Sequence, residues 1–341
     1  MNKRKRIGMA LLALVGVAGA LLLFFYLRRQ NLLYRATPIV ETQQWLQQYG
    51  GYFWESDRSI LSFRSAGRGG LQAFRVNVAT GSARPLMTLN RRLRGAASSP
   101  AQWRLSPDGR WLVWQNLRSP GACWTASTLD GLQNVTWPIP RPTGGPSTFM
   151  GTMNTSGPLW LSDNRRWVEF VPNQAGVQPW MHRLDGKSVR GPRITGPLPW
   201  PMGVNAQDRV VSLNFRRGAT LTINEYGLTP GAAPPRAFTV RLPGGMQTES
   251  EAELSPQGDR LAYILRTASA SPLQRLLTWL VPPADNRAYY RDTLWVSRAD
   301  GSEMRKLGEE GGGTLTGLMW MPNGRRISFF CQDKLYTLPV D

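Results

Sequence analysis

The chain has 341 residues, a formal net charge of +19, one histidine and two cysteines. This length suits a single large all-β ring or two smaller domains. One histidine excludes a multi-histidine zinc site, and two cysteines exclude a disulfide framework.

The first predicted element is an apolar helix near the N-terminus. Four basic residues, Lys3 to Arg6, precede a run without charge from Ile7 to Leu27, and further arginines follow it. A run of this length can span a bilayer as a helix. The sequence therefore predicts a cytoplasmic basic tail at residues 1–6, a transmembrane anchor at residues 7–27 and a linker at residues 28–51.

A cleaved signal peptide is the alternative, because Ala18 to Ala20 have the small side chains of a processing site. Cleavage there would leave the apolar segment Leu21 to Leu27 as the new N-terminus, and the run exceeds a usual signal core of ~7–15 residues. We therefore favour a retained anchor. The excess of basic residues before the run places the rest of the chain outside the cytoplasmic membrane, in the periplasm or extracellular space.

Beyond Arg35 the chain stays basic, with 34 basic against 22 acidic residues, and arginine dominates. Such a surface attracts anionic lipid head groups, anionic polymers or acidic proteins. A dispersed, solvated arginine surface explains the excess equally well. Nucleic acid is not an expected partner, because this topology separates the charge from it and the sequence has no recognition helix, RNP-type strand or zinc finger.

A turn with the pattern Ser-Pro-Asp-Gly, flanked by alternating apolar residues, repeats along the chain. Strong copies are RLSPDGRWLVW (Arg104–Trp114), LSPQGDRLAYIL (Leu254–Leu265) and WMPNGRRISFF (Trp320–Phe330). Weaker copies start at Trp54, Trp160 and Val204. Six copies at intervals of roughly fifty residues are typical of a β-propeller.

A second tight turn, often Asp-Gly or Thr-Gly, follows in most copies and provides the positive-φ positions that short hairpins need. Each copy thus predicts four strands. One such unit cannot bury both its faces alone, so the units pack side by side in a closed ring. We expect the tryptophans in or beside strands to fill the wedges between units as core: Trp103, Trp111, Trp114, Trp124, Trp160, Trp167, Trp180, Trp295 and Trp320.

Units such as SPDGRWLVW (Ser106–Trp114) and LWVSRADGSEMRKL (Leu294–Leu307) resemble the TolB-like, WD40-like (PD40) β-propeller repeats of bacterial envelope proteins. The resemblance covers most of Tyr52 to Asp341. It implies an all-β, six-bladed β-propeller of four-stranded antiparallel blades, with a seventh blade as the open alternative. The sequence before Tyr52 is too short for the N-terminal α/β domain of TolB. Because propellers serve binding, scaffolding and catalysis alike, the resemblance implies a fold before a function.

The last unit shows three strands before Asp341, so its fourth strand must come from elsewhere. The extended segment Ala36–Thr42 is the candidate, and it would join the N-terminal segment to the C-terminal blade.

Candidate catalytic groups are few. His182 is expected to be a hydrogen-bonded structural residue, and Cys123 and Cys331 to be buried thiols, with a single bridge as the alternative. We expect six turn aspartates to cap backbone N–H groups: Asp57, Asp108, Asp130, Asp163, Asp185 and Asp300. Glu249, Glu251 and Glu253 alternate on a predicted inner strand, so they face the central channel or solvent. The sequence predicts no catalytic residue, metal site or cofactor, and no enzyme activity.

An insertion in the fifth unit, Thr267–Asp292, contains the apolar stretch LQRLLTWLV between a helix-start signal and two prolines. It either folds over a blade edge or presents an apolar surface to a partner or to the bilayer. The predicted partner-binding residues are Leu273, Leu276, Leu277, Trp279 and Leu280.

These features predict a membrane-anchored, extracytoplasmic propeller that acts as a protein-interaction or scaffold module of the cell envelope. Its expected partners are envelope or membrane proteins. The alternatives are a structural subunit of a larger membrane complex, a channel-sited hydrolase or lyase, and a protein that binds an anionic glycan.

Overall fold

The computed structural model describes residues 15–19, 21, 31–39, 51–65, 71–93, 103–116, 123–138, 157–173, 176–195, 198, 200–215, 220–243, 246–268, 290–310 and 314–341. Residues 15–19 of the predicted anchor are helical. Most of the anchor lies outside these ranges, and within them no helix has the length and apolar character needed to cross a bilayer.

The described strands form six antiparallel sheets that are the blades of a β-propeller, so the predicted fold class is confirmed with six blades. Blade 1 contains β2 (Tyr52–Ser56), β3 (Ser59–Ser65), β4 (Leu71–Asn77) and β5 (Ala83–Pro85), and blade 2 contains β6 (Arg104–Leu105), β7 (Trp111–Asn116), β8 (Cys123–Thr128) and β9 (Asn134–Pro138). Blade 3 contains β10 (Leu159–Trp160), β11 (Arg166–Asn173), β12 (Gly176–Arg183), β13 (Ser188–Arg190) and β14 (Ile194–Thr195).

Blade 4 contains β15 (Trp200–Val204), β16 (Arg209–Phe215), β17 (Thr220–Gly227) and β18 (Arg236–Arg241). Blade 5 contains β19 (Met246–Leu254), β20 (Arg260–Ala268), β21 (Tyr290–Arg298) and β22 (Arg305–Glu310), and blade 6 contains β23 (Leu315–Trp320), β24 (Arg326–Cys331), β25 (Lys334–Pro339) and β1 (Thr37–Pro38). The described helices that join these strands are a 3₁₀ turn at Leu32–Tyr34 and α1 (Met87–Arg92).

Blade 3 departs from the predicted four strands. Its outer position is divided, because β13 and β14 pair with different parts of β12, with Trp180 opposite Arg190 and Val177 opposite Ile194. Pro192 lies between the two pieces. A proline has no N–H to give to the ladder, so the outer strand is interrupted there.

The glycine of the repeated turn has a structural reason. In the strong copies, the N–H of Gly109, Gly258 and Gly324 donates to the carbonyl three residues earlier, at 2.8–2.9 Å. Gly109 has a φ of +71°, and a Cβ there would overlap the carbonyl oxygen of Glu55 in the preceding blade. The turn therefore needs glycine for its backbone conformation and for the close approach of the preceding blade. We call the end of the propeller with these turns the turn end, and the opposite end the loop end.

The N-terminal segment closes the ring. Thr37 pairs with Thr337 and Pro38 with Tyr336, so these two residues form the fourth strand of blade 6 at the predicted position. The later residues of the predicted segment, 40–42, lie outside the described ranges. Just before β1, Leu32 is fully buried in the core shared by blades 5 and 6.

Aromatic packing joins neighbouring blades. Phe63 of blade 1 lies edge-on to Trp103 at the start of blade 2, with a centroid distance of 4.6 Å. Between blades 2 and 3, Trp167 contacts both Trp124 and Trp137. Seven of the nine predicted core tryptophans are buried, and Trp111 and Trp180 are only half-buried.

His182 lies in this seam, fully buried and stacked on Trp167 at 4.2 Å. Its Nε2 is 2.9 Å from Glu169 Oε1, and its Nδ1 is 2.8 Å from the Ser188 hydroxyl. The indole N–H of Trp124 donates to the other oxygen of Glu169, so the carboxylate joins blade 2 to blade 3. The predicted structural role of the histidine is confirmed.

Leu32→Ala is expected to lower the free energy of unfolding by about 2–5 kcal/mol, because it opens a cavity in the core of blades 5 and 6. Urea unfolding of the full chain measures this loss. Tyr34→Ala is the control, since that side chain is 62% exposed, and it should cost much less. Equal losses would show that the segment before β1 is not part of the core.

His182→Leu is expected to cost about 3–5 kcal/mol, because it leaves a buried carboxylate without one of its partners. The double variant with Glu169→Leu should lose less than the sum of the two single losses, since the pair is coupled. Ser188→Ala, which removes one hydrogen bond near the surface, is the control. Additive losses in a double-mutant cycle would contradict the coupling.

Candidate functional site

A cavity of about 170 Å³ lies at the turn end, where the inner strands of all six blades converge. Its lining comes from the last residues of these strands and from the turns that follow them. The largest or charged lining residues are Trp54, Arg104, Trp160, Met202, Glu253, Met319 and Trp320, and four prolines, Pro107, Pro158, Pro256 and Pro322, complete the wall.

Three indoles of the lining are oriented in the same way. The indole N–H of Trp160 donates to the Arg104 carbonyl at 3.3 Å, and that of Trp320 donates to the Glu253 carbonyl at 3.0 Å. The indole N–H of Trp54 donates to the Ser328 hydroxyl at 2.7 Å. Each bond joins a tryptophan to the preceding blade, so the polar edge of each ring is satisfied and the ring is held at the cavity wall.

Arg104 and Glu253 place opposite charges in this cavity. Each stands two residues before the serine of its repeated turn, Ser106 and Ser255. The two residues thus occupy equivalent positions in blades 2 and 5, which lie opposite each other in a ring of six. Glu251, two residues earlier on the same strand, accepts a hydrogen bond from the Leu318 N–H of blade 6 at 3.0 Å.

Burial raises the pKa of the Glu253 carboxyl from 4.5 to about 7, and Glu251 adds to this rise. The Arg104 guanidinium opposes it without cancelling it. Burial likewise lowers the pKa of Arg104, and the charge of Glu253 opposes that shift. A carboxyl that titrates near neutral pH inside a cleft is typical of a functional position.

The sequence left open whether the three alternating glutamates face the central channel or solvent, and the structure shows the position of two of them. Glu253 faces the cavity and Glu251 bonds to the next blade, while the side chain of Glu249 lies outside the description. The register of β19 shifts between Thr248 and Ala252, which changes the simple alternation along the strand.

The aspartates mostly cap turns, as predicted. Asp130, Asp163, Asp185 and Asp300 accept backbone N–H groups two residues ahead at 2.9–3.1 Å, and Asp108 does the same for Arg110. Asp57 differs, because it accepts from the side-chain amide of Asn323 in blade 6 at 2.7 Å.

The other candidates from the sequence lie away from the cavity or outside the described residues. His182 is in the seam between blades 2 and 3. Cys331 is buried, which raises the pKa of its thiol to about 11, whereas Cys123 is only half-buried, and the two are not bridged. The predicted partner-binding residues Leu273, Leu276, Leu277, Trp279 and Leu280 lie outside the described ranges. In the ranges that are described, no three His, Cys, Asp or Glu side chains are grouped to hold a metal ion.

Arg104 and Trp54 were not predicted as site residues from the sequence, and Trp160 and Trp320 were predicted as core residues alone. A signal for the charge pair was available, because aligning the repeats places Arg104 and Glu253 at one position in copies three units apart.

No protein-family model matches the chain, and no curated protein is similar to it in sequence. One similar solved structure is TolB from Acinetobacter baumannii, with 11% sequence identity over 84% of this chain and 65% of that one and a TM-score of 0.47. A second is the β-propeller domain of the Trilobed protease from Pyrococcus furiosus, with 11% identity over 86% of this chain and 84% of that one and a TM-score of 0.43. A third is oligogalacturonate lyase from Vibrio parahaemolyticus, with 10% identity over 86% of this chain and 89% of that one and a TM-score of 0.43. The chain thus spans about two thirds of the Acinetobacter TolB. At these identities the similarity concerns the fold alone, and the six-bladed ring that the resemblance implies is seen in the sheets of this chain.

Glu253→Gln is expected to stabilise the protein at pH 8 by about 1–3 kcal/mol and to leave its stability unchanged near pH 4. Folding raises this pKa, so the stabilising contribution of the protonated carboxyl is full below pH 4.5 and is lost as the pH rises through about 7. Urea unfolding at both pH values measures the effect. Glu303→Gln, in the exposed turn between β21 and β22, is the control, and an equal gain at both pH values for Glu253→Gln would contradict the prediction.

Proposed function

We propose that the protein is a membrane-anchored, extracytoplasmic β-propeller that binds a protein of the cell envelope at the cavity of its turn end. The observation that carries this proposal is the cavity lining, in which three oriented indoles surround a pair of opposite charges. Tryptophan and arginine are enriched among the residues that contribute most to protein–protein binding.

The size of the cavity restricts what enters it. About 170 Å³ accommodates one or two side chains and not a folded domain. A loop or a chain end of the partner is therefore the occupant that fits, and the surrounding turns would contact the rest of the partner. Apolar groups of that segment would pack on the indoles, while a basic and an acidic group would pair with Glu253 and Arg104.

The anchor and the location outside the cytoplasm complete this proposal. They rest on the apolar run from Ile7 to Leu27 and on the basic residues before it. A rigid ring carried by one membrane helix suits a scaffold that holds partners near the membrane.

A channel-sited hydrolase or lyase is the second candidate, and the pKa of Glu253 near 7 is the observation that favours it. General acid–base chemistry of this kind commonly uses two carboxyls with separated pKa values. Among the described residues of the cavity lining, Glu253 is the one carboxyl. The binding function accounts for the indoles as well, so we place it first.

A photo-crosslinking amino acid at position 202 tests the binding proposal in cells. Met202 lines the cavity, so we expect one discrete crosslinked protein there, and we expect Glu253→Gln to reduce the yield severalfold. Gln72 is the control position, because it is exposed near the start of β4 at the loop end, on the side of the ring opposite the cavity.

The crosslinked protein should be an envelope protein, identified by mass spectrometry. An identical set of adducts at positions 202 and 72, or a yield that Glu253→Gln does not change, would contradict binding at the cavity.

A further inference from the structure

A second cavity lies at the turn end, in the seam between blades 2 and 3. Its volume is about 500 Å³, against about 170 Å³ for the cavity that holds Arg104 and Glu253, which we call the central cavity. The walls are Asp108–Trp111 of blade 2 and two pieces of blade 3, Asp163–Arg165 and Arg183–Asp185. We call this second space the seam cavity.

The two cavities share a wall. In the repeated turn of blade 2, Pro107 lines the central cavity and Asp108 lines the seam cavity. Ser162 and Asp163 of blade 3 are divided between the two cavities in the same way. The Asp108 N–H donates to the Asn164 side-chain oxygen at 3.0 Å, which joins the two turns. A chain that leaves the central cavity across these turns therefore enters the seam cavity.

The acidic side chains of the seam cavity are bound by groups of the protein itself. Asp163 accepts a hydrogen bond from the Arg166 guanidinium at 2.5 Å, and Asp185 forms an ion pair with Arg183 at 3.3 Å. Asp108 accepts from the serine hydroxyl of its own turn at 2.5 Å. These three carboxylates thus have partners before any ligand arrives.

Two arginines of the lining differ in this respect. Arg110 and Arg165 each follow the positive-φ residue of a repeated turn, so they occupy equivalent positions in blades 2 and 3. Both are exposed, and among the described residues neither has a carboxylate within ion-pair distance. The Thr128 hydroxyl is the main cause of the lowered pKa of Asp130, and Arg110 adds only a smaller effect. Both guanidinium groups are therefore available to an external anion.

The floor of the seam cavity is apolar. Trp111 and Leu184 are half-buried and pack against the buried tryptophan cluster between blades 2 and 3. Above them, a guanidinium can hold a carboxylate through two parallel hydrogen bonds. The lining as a whole fits a ligand that carries both carboxylates and apolar groups.

From this arrangement we infer that the seam cavity is a second contact site for the partner, and that it takes a stretch of the partner chain rich in aspartate and glutamate. The inference rests on the proposed function, in which a protein binds at the turn end, and it adds the chemistry of the segment that this protein presents. Apolar side chains of the same stretch would lie on Trp111 and Leu184. A basic stretch would be repelled by Arg110 and Arg165.

A photo-crosslinking amino acid at position 185, used in cells beside the one at position 202, tests this inference on the full chain. Asp185 lines the seam cavity and is exposed, so the change should leave the fold intact. We expect the same protein to be captured at both positions. Mass spectrometry of the adduct at position 185 should locate the crosslink in a stretch rich in aspartate and glutamate.

The arginines are tested by the pair of changes Arg110→Gln and Arg165→Gln. We expect this pair to lower the yield at position 185 severalfold, because it removes both charge-assisted contacts. Arg58→Gln with Arg325→Gln is the matched control, since these exposed arginines lie in the repeated turns of blades 1 and 6 and their loss changes the net charge equally. Urea unfolding should show similar stability for both pairs, as is usual for exposed positions.

The outcomes separate this inference from the proposed function. An absent adduct at position 202 would refute binding at the central cavity, and the shared partner with it. An adduct at position 202 with none at position 185 would overturn the second contact and leave the proposed function intact. The same holds if the two pairs of arginine changes affect the yield at position 185 equally, or if the adduct there is a carbohydrate or a stretch without acidic residues.

Discussion

The structure depends on the burial of one blade face against the next. Each blade is a sheet with two apolar faces, so neither face is satisfied until a neighbour covers it. The indoles in the seams supply much of this contact, as in the cluster of Trp124, Trp137 and Trp167 between blades 2 and 3. A ring is the arrangement in which every face has a neighbour, and for this reason the closure between blade 6 and blade 1 matters to every other seam.

Closure uses residues from both ends of the described chain. β1 is only two residues long, so its pairing with β25 contributes few hydrogen bonds. The burial of Leu32 in the core of blades 5 and 6 adds the apolar contact that such a short strand lacks. In the sequence, this segment comes soon after the apolar run that is predicted to be an anchor.

Polar groups inside the ring are placed where blades meet. Glu169 binds an indole of blade 2 and an imidazole of blade 3, and Glu251 of blade 5 binds the backbone of blade 6. These carboxylates have specific partners and serve the architecture. Glu253 differs in its surroundings, because it lies among the indoles and the guanidinium that line a cavity, and burial there raises its pKa. The contrast between the two classes of carboxylate marks the cavity as the candidate site.

The sequence by itself predicted the position of each repeated turn and the strand that closes the ring, and it favoured six blades while a seventh stayed open. These features are local, since a turn such as Ser106–Gly109 is specified by residues close together in the chain, and the missing strand follows from counting strands. The divided outer strand of blade 3 was not predicted, although Pro192 is its local cause.

The tertiary structure alone decided the candidate site. Arg104 and Glu253 are far apart in sequence and line one cavity only because six blades bring the second and fifth units to opposite sides of one axis. Burial by the surrounding blades raised the pKa of Glu253, which lines the cavity. The charge, burial and pKa of a side chain at such a site depend on neighbours that the ring brings together. The order of residues along the chain does not show which residues these neighbours are.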